Sequence, residues 1–356
     1  MEETVKELST TEVCLPRKPE EPSQEDCCGS GCTYCVFDVY EKELAKWEKE
    51  CERLVKGGRP SEGSDLLSPL EFKDFSLIKI IPSAHELNIY RFSVPDGIKL
   101  DIKPGQHLMM KGCVINQTCD INIDEDRGSV VETVILTVDR TNIPLGNINE
   151  ETIPERKYLS RAYTILNNEH GYFETLIKVY NDGKMSQYIN TLKVGDSVLW
   201  RGPFGDYHHC PSYSLGSNNG SPIVVAVCAG TGVAPVYAIS KSIVSDEEDE
   251  TRIRLLWANR SWECLPLVEE FKELASYWNF SCRLFFSSGG RATPVSHTFF
   301  EITYSKINFQ ALSEEFSTIN SNDIKVLLCG SLSFEEDMLV FLDQLGIQNC
   351  NCYRFE

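Results

Sequence analysis

Basic, aromatic and hydroxyl side chains recur at close spacing between residues 161 and 186. In Arg161-Ala162-Tyr163-Thr164, the guanidinium matches phosphate oxygens, the ring can stack on a planar cofactor, and the hydroxyl can hydrogen-bond a ring nitrogen. Lys178 and Tyr180 follow on a predicted strand, and Gly183-Lys184-Met185-Ser186 begins a helix predicted over Gln187–Leu192, where free amides and Lys184 attract an anion. The tetrapeptide alone also fits an ordinary strand. Together these residues predict a flavin site.

A second candidate site follows the apolar run Pro222–Cys228, which is typical of a buried parallel strand. The glycine turn Ala229–Pro235 comes directly after this run, before a helix predicted over Val236–Val244. Such a turn presents backbone amides to a pyrophosphate, although this one lacks the GxGxxG spacing. A plain strand-to-helix turn is the alternative. Cys329 is either a residue that borders a nicotinamide or a small buried apolar side chain.

The spacing of strands and turns predicts an antiparallel β-barrel over residues 71–215. Turns at Pro95–Gly97 and Pro104–Gly105 separate short strands, and Arg201–Gly205 is predicted as the turn that ends the barrel. Residues 118–158 are predicted as an insertion between two barrel strands. Its strand-like run Val130–Val138 indicates a surface hairpin.

Strands alternate with helices in residues 220–356, a pattern that predicts an α/β nucleotide-binding domain with a parallel sheet. Helices are expected over Pro266–Tyr277 and Glu335–Leu345, and a closing strand over Cys350–Phe355. Ligands bind at the carboxyl ends of such strands, so Thr231, Asn259 and Cys329 should lie along one edge of the sheet.

The first 70 residues divide into three predicted parts, of which residues 1–26 are disordered and residues 56–70 are a linker. Between them, residues 27–55 hold a cysteine-rich segment and an amphipathic helix. The cysteines favour a metal-free structural or redox-sensitive segment over a zinc or iron–sulfur site, since two are adjacent. The helix is expected to pack on its own domain, with partner binding as the alternative. The cysteines are Cys27, Cys28, Cys32 and Cys35, and the helix stripe is Tyr40, Leu44, Trp47, Cys51 and Leu54.

Composition excludes some functions and indicates a compartment. A formal charge of −19 argues against nucleic-acid binding, which needs clustered Lys and Arg. Most of the 15 cysteines stand singly in apolar runs, which favours reduced thiols inside the cell. The sequence shows no signal or transit pattern and no apolar run of about 20 residues. We therefore expect a soluble cytoplasmic protein without a transmembrane segment, and peripheral membrane association stays open.

From about Phe72 onward the sequence resembles the NADH–cytochrome-b5 reductase family of the ferredoxin-NADP reductase superfamily, and residues 26–44 resemble the oxidoreductase-like N-terminal module. The matching motifs, in order, are Pro104–His107, Arg161–Thr164, Ile177–Tyr180, Gly183–Tyr188, Arg201–Gly205, Ala229–Pro235 and Leu328–Gly330. The resemblance implies a reductase that transfers a hydride from NADH, or NADPH, to FAD and passes single electrons to an acceptor such as the haem protein cytochrome b5. A reductase-fold adaptor that has lost donor turnover and recruits a partner through residues 27–55 is the alternative.

The resemblance also implies roles for individual residues, with Thr164 and Cys329 as the expected catalytic residues. We expect no metal site. The expected FAD contacts are Arg161, Ala162, Tyr163, Thr164, Leu176, Lys178, Gly183, Lys184, Met185 and Ser186. The expected nicotinamide-nucleotide contacts are Gly230, Thr231, Gly232, Pro235, Cys329 and Gly330.

Three departures from the family pattern affect these expectations. Ser331–Phe334 replaces a proline-rich run, so the loop after Gly330 is expected to differ in shape. Ser287–Arg291 lacks the acid that selects NADH, and Arg291 can accommodate a 2′-phosphate. The sequence also shows no basic face for an acidic partner.

Overall fold

A computed structural model shows a closed β-barrel followed by an open parallel sheet covered by helices. The structure describes residues 66–95, 97–116, 155–180, 183–212, 222–288, 299–317, 319, 324–347 and 351–355, with scattered positions from 18 to 52. The cysteines at 27–35, the predicted hairpin strand and Arg291 lie outside these residues.

The barrel is closed by six antiparallel strands in the order β1-β2-β5-β4-β3-β6. Phe92, Phe173 and Trp200 are fully buried at its centre, where their rings pack 5.0 to 5.6 Å apart. One helix, α1, connects β5 to β6. The elements are β1 Lys73–Ala84, β2 Leu87–Ser93, β3 His107–Asn116, β4 Glu155–Glu169, β5 Tyr172–Lys178, α1 Lys184–Thr191 and β6 Ser197–Phe204.

Three predicted boundaries in the barrel are wrong. β4 begins at Glu155, so the last four residues of the predicted insertion belong to the barrel. β6 continues through Arg201–Phe204, because Arg201 pairs with Met109 although Gly-Pro usually signals a turn. α1 begins at Lys184, three residues before the predicted start.

The second half contains six parallel strands in the order β10-β9-β8-β7-β11-β12. The order reverses between β7 and β11, and the cleft at such a reversal is where open α/β sheets bind ligands. The elements are β7 Ile223–Ala229, α2 Val233–Val244, β8 Arg252–Asn259, α3 Val268–Leu274, β9 Phe280–Phe286, β10 Glu301–Thr303, α4 Phe309–Phe316, β11 Ile324–Cys329, α5 Leu332–Gln344 and β12 Cys352–Arg354.

Several helix boundaries in this half differ from the predicted ones. α2 begins three residues early, at Val233, and α3 is shorter than predicted, ending at Leu274. α5 begins at Leu332, so the residues predicted as an altered loop form its first turn. Ser331 caps this helix, since its hydroxyl accepts a hydrogen bond of 3.4 Å from the Phe334 amide.

Barrel and sheet share one apolar cluster. Leu87, Ile89, Leu166 and Leu176 of the barrel belong to the same buried cluster as Val236 and other residues of α2. This cluster places α2, which follows the glycine turn, against the barrel.

A polar chain runs beside the shared cluster. Lys241 of α2 donates to Asn167 Oδ1 at 2.6 Å, and Asn167 donates to Glu174 Oε2 at 2.6 Å. The other Glu174 oxygen accepts from Arg91 at 2.8 Å. Because the Glu174 side chain is 6% exposed and fully bonded, the chain fixes the orientation of α2 relative to β4 and β5.

The connection that leaves the barrel after β6 is held to the sheet by a buried carboxylate. Asp249 Oδ1 accepts hydrogen bonds from the Thr251 hydroxyl at 2.6 Å and the Ser212 amide at 3.0 Å, and Oδ2 lies 2.5 Å from His209 Nε2. Burial raises the pKa of Asp249, but these hydrogen bonds more than offset it and leave the pKa below its ordinary value.

The described positions between 37 and 52 are helical, as the apolar stripe predicts. Tyr40, Leu44 and Trp47 are half-buried, whereas Glu41 and Glu48 are exposed. Within the part of the chain that the structure describes, no helix combines the length and apolar character needed to cross a membrane.

Candidate functional site

The four residues Arg161–Thr164 lie on β4, opposite β3. Arg161 pairs with Met110 and Tyr163 with Leu108, and opposed residues of an antiparallel pair share a face. Thr164 pairs with His107 and lies on the other face, as does Ala162. The strand therefore brings Arg161 and Tyr163 together and separates them from Ala162 and Thr164.

Tyr163 lies between the buried Trp200 and the exposed Arg161. Its ring packs edge-on against Trp200 at 6.0 Å. Burial raises the pKa of the Tyr163 hydroxyl, the Arg161 charge lowers it, and Tyr90 and Tyr180 raise it further, with a net rise. The hydroxyl therefore stays protonated at neutral pH and can donate a hydrogen bond. Arg161 is exposed, and its guanidinium donates to the Ser160 carbonyl at 2.8 Å.

The beginning of α1 completes the barrel side of the site. Gly183 is the N-cap residue and makes no side-chain cap, so the first-turn amides of α1 have no helical partner. Ser186 does not cap the helix, because its buried hydroxyl accepts a hydrogen bond of 2.9 Å from the Tyr180 amide. Lys184 is exposed and Met185 is buried.

Of the residues around α1, Tyr180 differs from its predicted position, whereas Leu176 lies on the predicted strand. β5 ends at Lys178, so Tyr180 follows the strand; the Lys178 ammonium lies 5.0 Å from the exposed Tyr180 ring. Leu176 is buried in the cluster shared with α2. A Cβ on Gly112 would lie 2.7 Å from the Tyr188 ring, so α1 packs directly on β3.

The glycine turn of the second half lies against the end of β11. Gly230 has φ +55°, and its carbonyl accepts a hydrogen bond of 3.1 Å from Trp257 Nε1. A Cβ on Gly232 would overlap the carbonyl of Cys329. Glycine is therefore required for this close approach. Thr231 is half-buried, and Pro235 is buried in the first turn of α2.

Cys329 and Gly330 are held by a carboxylate that the sequence motifs did not identify. The Gly330 amide donates to Glu335 Oε1 at 3.1 Å, and Arg354 donates to Glu335 Oε2 at 2.8 and 3.0 Å. Burial, and secondarily the Glu335 charge, raises the pKa of the Cys329 thiol to about 12. An acid in the first turn after Ser331 was a signal for Glu335, whereas nothing in the sequence pointed to Arg354.

A buried amide without a partner lies on the same edge of the sheet. Asn259 ends β8 and is 8% exposed, and its Nδ2 has no hydrogen-bond partner among the described residues. Buried polar groups are normally hydrogen-bonded, so an unpartnered donor beside a glycine turn fits a site shaped for a polar ligand. The free amides of α1 and the exposed Arg161 fit a phosphorylated ligand on the barrel side.

Comparison with known proteins assigns both halves. Residues 136–209 match the oxidoreductase FAD-binding domain, residues 226–339 the oxidoreductase NAD-binding domain, and residues 11–56 the N-terminal oxidoreductase-like protein domain. The chain is 30% identical to NADH-cytochrome b5 reductase-like of Homo sapiens and 31% identical to that of Mus musculus, and each alignment covers 100% of both chains. The chain belongs to the NADH-cytochrome b5 reductase-like family. It is an oxidoreductase with binding domains for FAD and for a nicotinamide dinucleotide.

Solved structures show the same fold. The cytochrome b5 reductase domain of Ulva prolifera nitrate reductase is 22% identical, with a TM-score of 0.60 over 82% of this chain and 100% of that chain. The CS-b5R domains of human Ncb5or are 17% identical, with a TM-score of 0.56 over 83% of this chain and 72% of that one. The expected barrel and parallel sheet are thereby confirmed.

Proposed function

We propose that this member of the NADH-cytochrome b5 reductase-like family transfers a hydride from NADH or NADPH to FAD and passes electrons singly to an acceptor such as cytochrome b5. FAD supplies the redox chemistry, since a flavin accepts a hydride and releases its electrons one at a time. The observation that carries the proposal is the packing of α2 against the barrel strands that present Arg161 and Tyr163.

The barrel residues hold and orient FAD in this proposal. Arg161 and the first-turn amides of α1 bind the diphosphate, because both present free donors to an anion. The protonated Tyr163 hydroxyl donates to the cofactor while Trp200 restrains its ring. The remaining proposed contacts are Ala162, Thr164, Leu176, Lys178, Gly183, Lys184, Met185 and Ser186, with Ser186 acting through the Tyr180 backbone.

The sheet residues position the nicotinamide dinucleotide. The amides of Gly230, Thr231 and Gly232, with the N-terminus of α2, donate hydrogen bonds to the pyrophosphate. Pro235 fits the first turn of α2 because that turn needs no amide at this position. Cys329 and Gly330 border the hydride path. Since the pKa of Cys329 is about 12, its thiol stays neutral there and acts as a small contact, not as a base or nucleophile.

A catalytically inactive adaptor is less consistent with these contacts. The carboxyl end of β11 is held in place beside the glycine turn, by the close approach of Gly232 to Cys329 and by the hydrogen bond between Gly330 and Glu335. These contacts are present although Ser331–Phe334 replaces the proline-rich run. The matches to the FAD-binding and NAD-binding oxidoreductase domains also favour a reductase over an adaptor.

The experiment is an anaerobic titration of the purified protein with NADH and with NADPH, followed by flavin absorbance, with cytochrome b5 and ferricyanide then added as acceptors. Bleaching by either donor supports the proposal, and a colourless protein that takes up no FAD refutes it. Arg161→Ala should weaken FAD binding roughly 10- to 100-fold, since a charge-assisted hydrogen bond contributes about 1.5–3 kcal/mol. Lys79→Ala, which removes an exposed charge from β1, is the matched control. Unchanged FAD affinity in Arg161→Ala would remove Arg161 from this role.

A further inference from the structure

Backbone hydrogen bonds join the carboxyl ends of β8 and β9, which lie on the same edge of the sheet as the glycine turn. The Ser287 amide donates to the Asn259 carbonyl at 3.0 Å, and the Ser288 amide donates to the Arg260 carbonyl at 2.9 Å. β8 is the direct neighbour of β7, which carries the glycine turn. A dinucleotide whose pyrophosphate lies at the first strand-to-helix turn places its adenosine ribose at the ends of the next strands.

The side chains at this point are free donors. Arg260 is exposed, and its guanidinium forms neither an ion pair nor a hydrogen bond with the residues that the structure describes. Ser287 and Ser288 are also exposed, with hydroxyls uncommitted within the same part of the chain. Beside them, the Nδ2 of Asn259 is the buried donor without a partner. An exposed cation, two exposed hydroxyls and a buried amide therefore lie at the adjoining ends of β8 and β9.

A carboxylate is missing from the place where NAD-binding sheets put one. In sheets with a GxGxxG turn, an acid at the end of the second strand accepts the ribose 2′-hydroxyl, whereas an arginine nearby accommodates a 2′-phosphate. In the family that this sequence resembles, the acid follows the third strand, where Ser287–Arg291 has none. Here the second strand is followed by Arg260. The next acid along the chain, Glu263, accepts a hydrogen bond from the Ser261 hydroxyl, and its carbonyl accepts from the His85 amide of the barrel at 3.0 Å. Glu263 is thus engaged toward Ser261 and the barrel.

We propose that Arg260, with the hydroxyls of Ser287 and Ser288, binds the adenosine 2′-phosphate, so that NADPH is bound in preference to NADH. The planar guanidinium matches two phosphate oxygens, and the hydroxyls donate to the third. Asn259 Nδ2 donates to the adjoining ribose. The inference rests on the proposed function, because it names the hydride donor of the same site.

A binding experiment tests the inference without flavin chemistry. Calorimetry compares adenosine 2′,5′-bisphosphate with adenosine 5′-monophosphate, which differ only by the 2′-phosphate, on the purified full-length protein. The bisphosphate should bind roughly 10- to 100-fold more tightly, as expected for charge-assisted hydrogen bonds to phosphate. Arg260→Gln should remove this difference and leave the affinity for the monophosphate unchanged. Arg252→Gln, at the opposite end of β8, is the matched control and should retain the difference.

The same variants are then compared in flavin reduction. Wild-type protein should reach half-saturation at a lower NADPH than NADH concentration, and Arg260→Gln should reverse the order. Equal binding of the two adenosine nucleotides by wild-type protein, or equal weakening of both by Arg260→Gln, would overturn the inference. If NADH alone reduces the flavin, the inference fails and the proposed function stands. If neither donor reduces it but the bisphosphate preference holds, the proposed function fails and the 2′-phosphate site stands.

Discussion

Removing the charge of Glu335 should destabilise the carboxyl ends of β11 and β12, beside the proposed nicotinamide site. Its carboxylate is 6% exposed and joins Gly330, at the end of β11, to Arg354 of β12. Glu335→Gln keeps an oxygen for the Gly330 amide but loses the charged pair with Arg354. Breaking a fully buried pair costs about 3–5 kcal/mol, and hydrogen bonds to charged groups contribute about 1.5–3 kcal/mol each. The Arg354 side chain is 32% exposed, so water compensates in part and about 2 kcal/mol is expected.

Thermal unfolding measures this loss. At roughly 2–4 °C per kcal/mol for a domain of this size, Glu335→Gln should lower Tm by about 4–8 °C. The exposed neighbour Glu336 provides the matched control, and Glu336→Gln should leave Tm unchanged. A second readout is local: without the Glu335 charge the pKa of Cys329 falls, so iodoacetamide should alkylate Cys329 faster at about pH 9.

The reasoning depends on coupling between Glu335 and Arg354. A double-mutant cycle with Arg354→Met should give an interaction energy of about 1–2 kcal/mol. Additive effects of the two substitutions, or a Glu335→Gln protein with wild-type Tm and wild-type alkylation of Cys329, would refute this account.

Two further perturbations address the joints between barrel and sheet. Lys241→Met breaks the hydrogen bond to Asn167, so α2 loses its fixed orientation. Flavin reduction at a saturating concentration of hydride donor should slow by up to about tenfold, while FAD affinity stays unchanged. An unchanged rate in stopped-flow mixing would contradict this. The pKa of Asp249 lies below its ordinary value of 3.8, so its stabilisation is present above that value and is lost as pH falls through the lower folded-state pKa. Urea unfolding at about pH 5 and about pH 3 should therefore show a smaller loss of stability for Asp249→Asn than for wild-type protein, and equal losses would exclude Asp249 as the cause.

The fold class could be predicted because each half has its own local signal. The continuous apolar run Val224–Cys228 followed by a glycine turn indicated a parallel strand and helix, and the structure has both. Boundaries were less predictable where pairing with a neighbour overrode a local signal. Arg201–Phe204 contains Gly-Pro yet forms the end of β6, because β3 supplies its partners.

The sequence identified the segments that contribute to the site, but it did not identify several of the contacts between their side chains. Arg161 and Tyr163 share a face, as residues two apart on a strand must, and the structure adds Tyr90 and Tyr180 beside them. The hydrogen bond from the Tyr180 amide to the Ser186 hydroxyl was not foreseen, and the contact of Ser186 with FAD stays a prediction. The contact between Glu335 and Arg354 spans two elements that meet only through the sheet order, which no local pattern encodes.

The apolar cluster shared by barrel and sheet limits how far the two halves can separate. Leu87, Ile89, Leu166 and Leu176 are each at most 7% exposed in that cluster. Exposing four such side chains costs about 6 kcal/mol or more, so a separated state holds less than about one molecule in ten thousand. We therefore expect the nicotinamide dinucleotide to enter and leave at the carboxyl edge of the sheet while the two halves stay packed together. For the same reason the two halves should unfold as one cooperative unit.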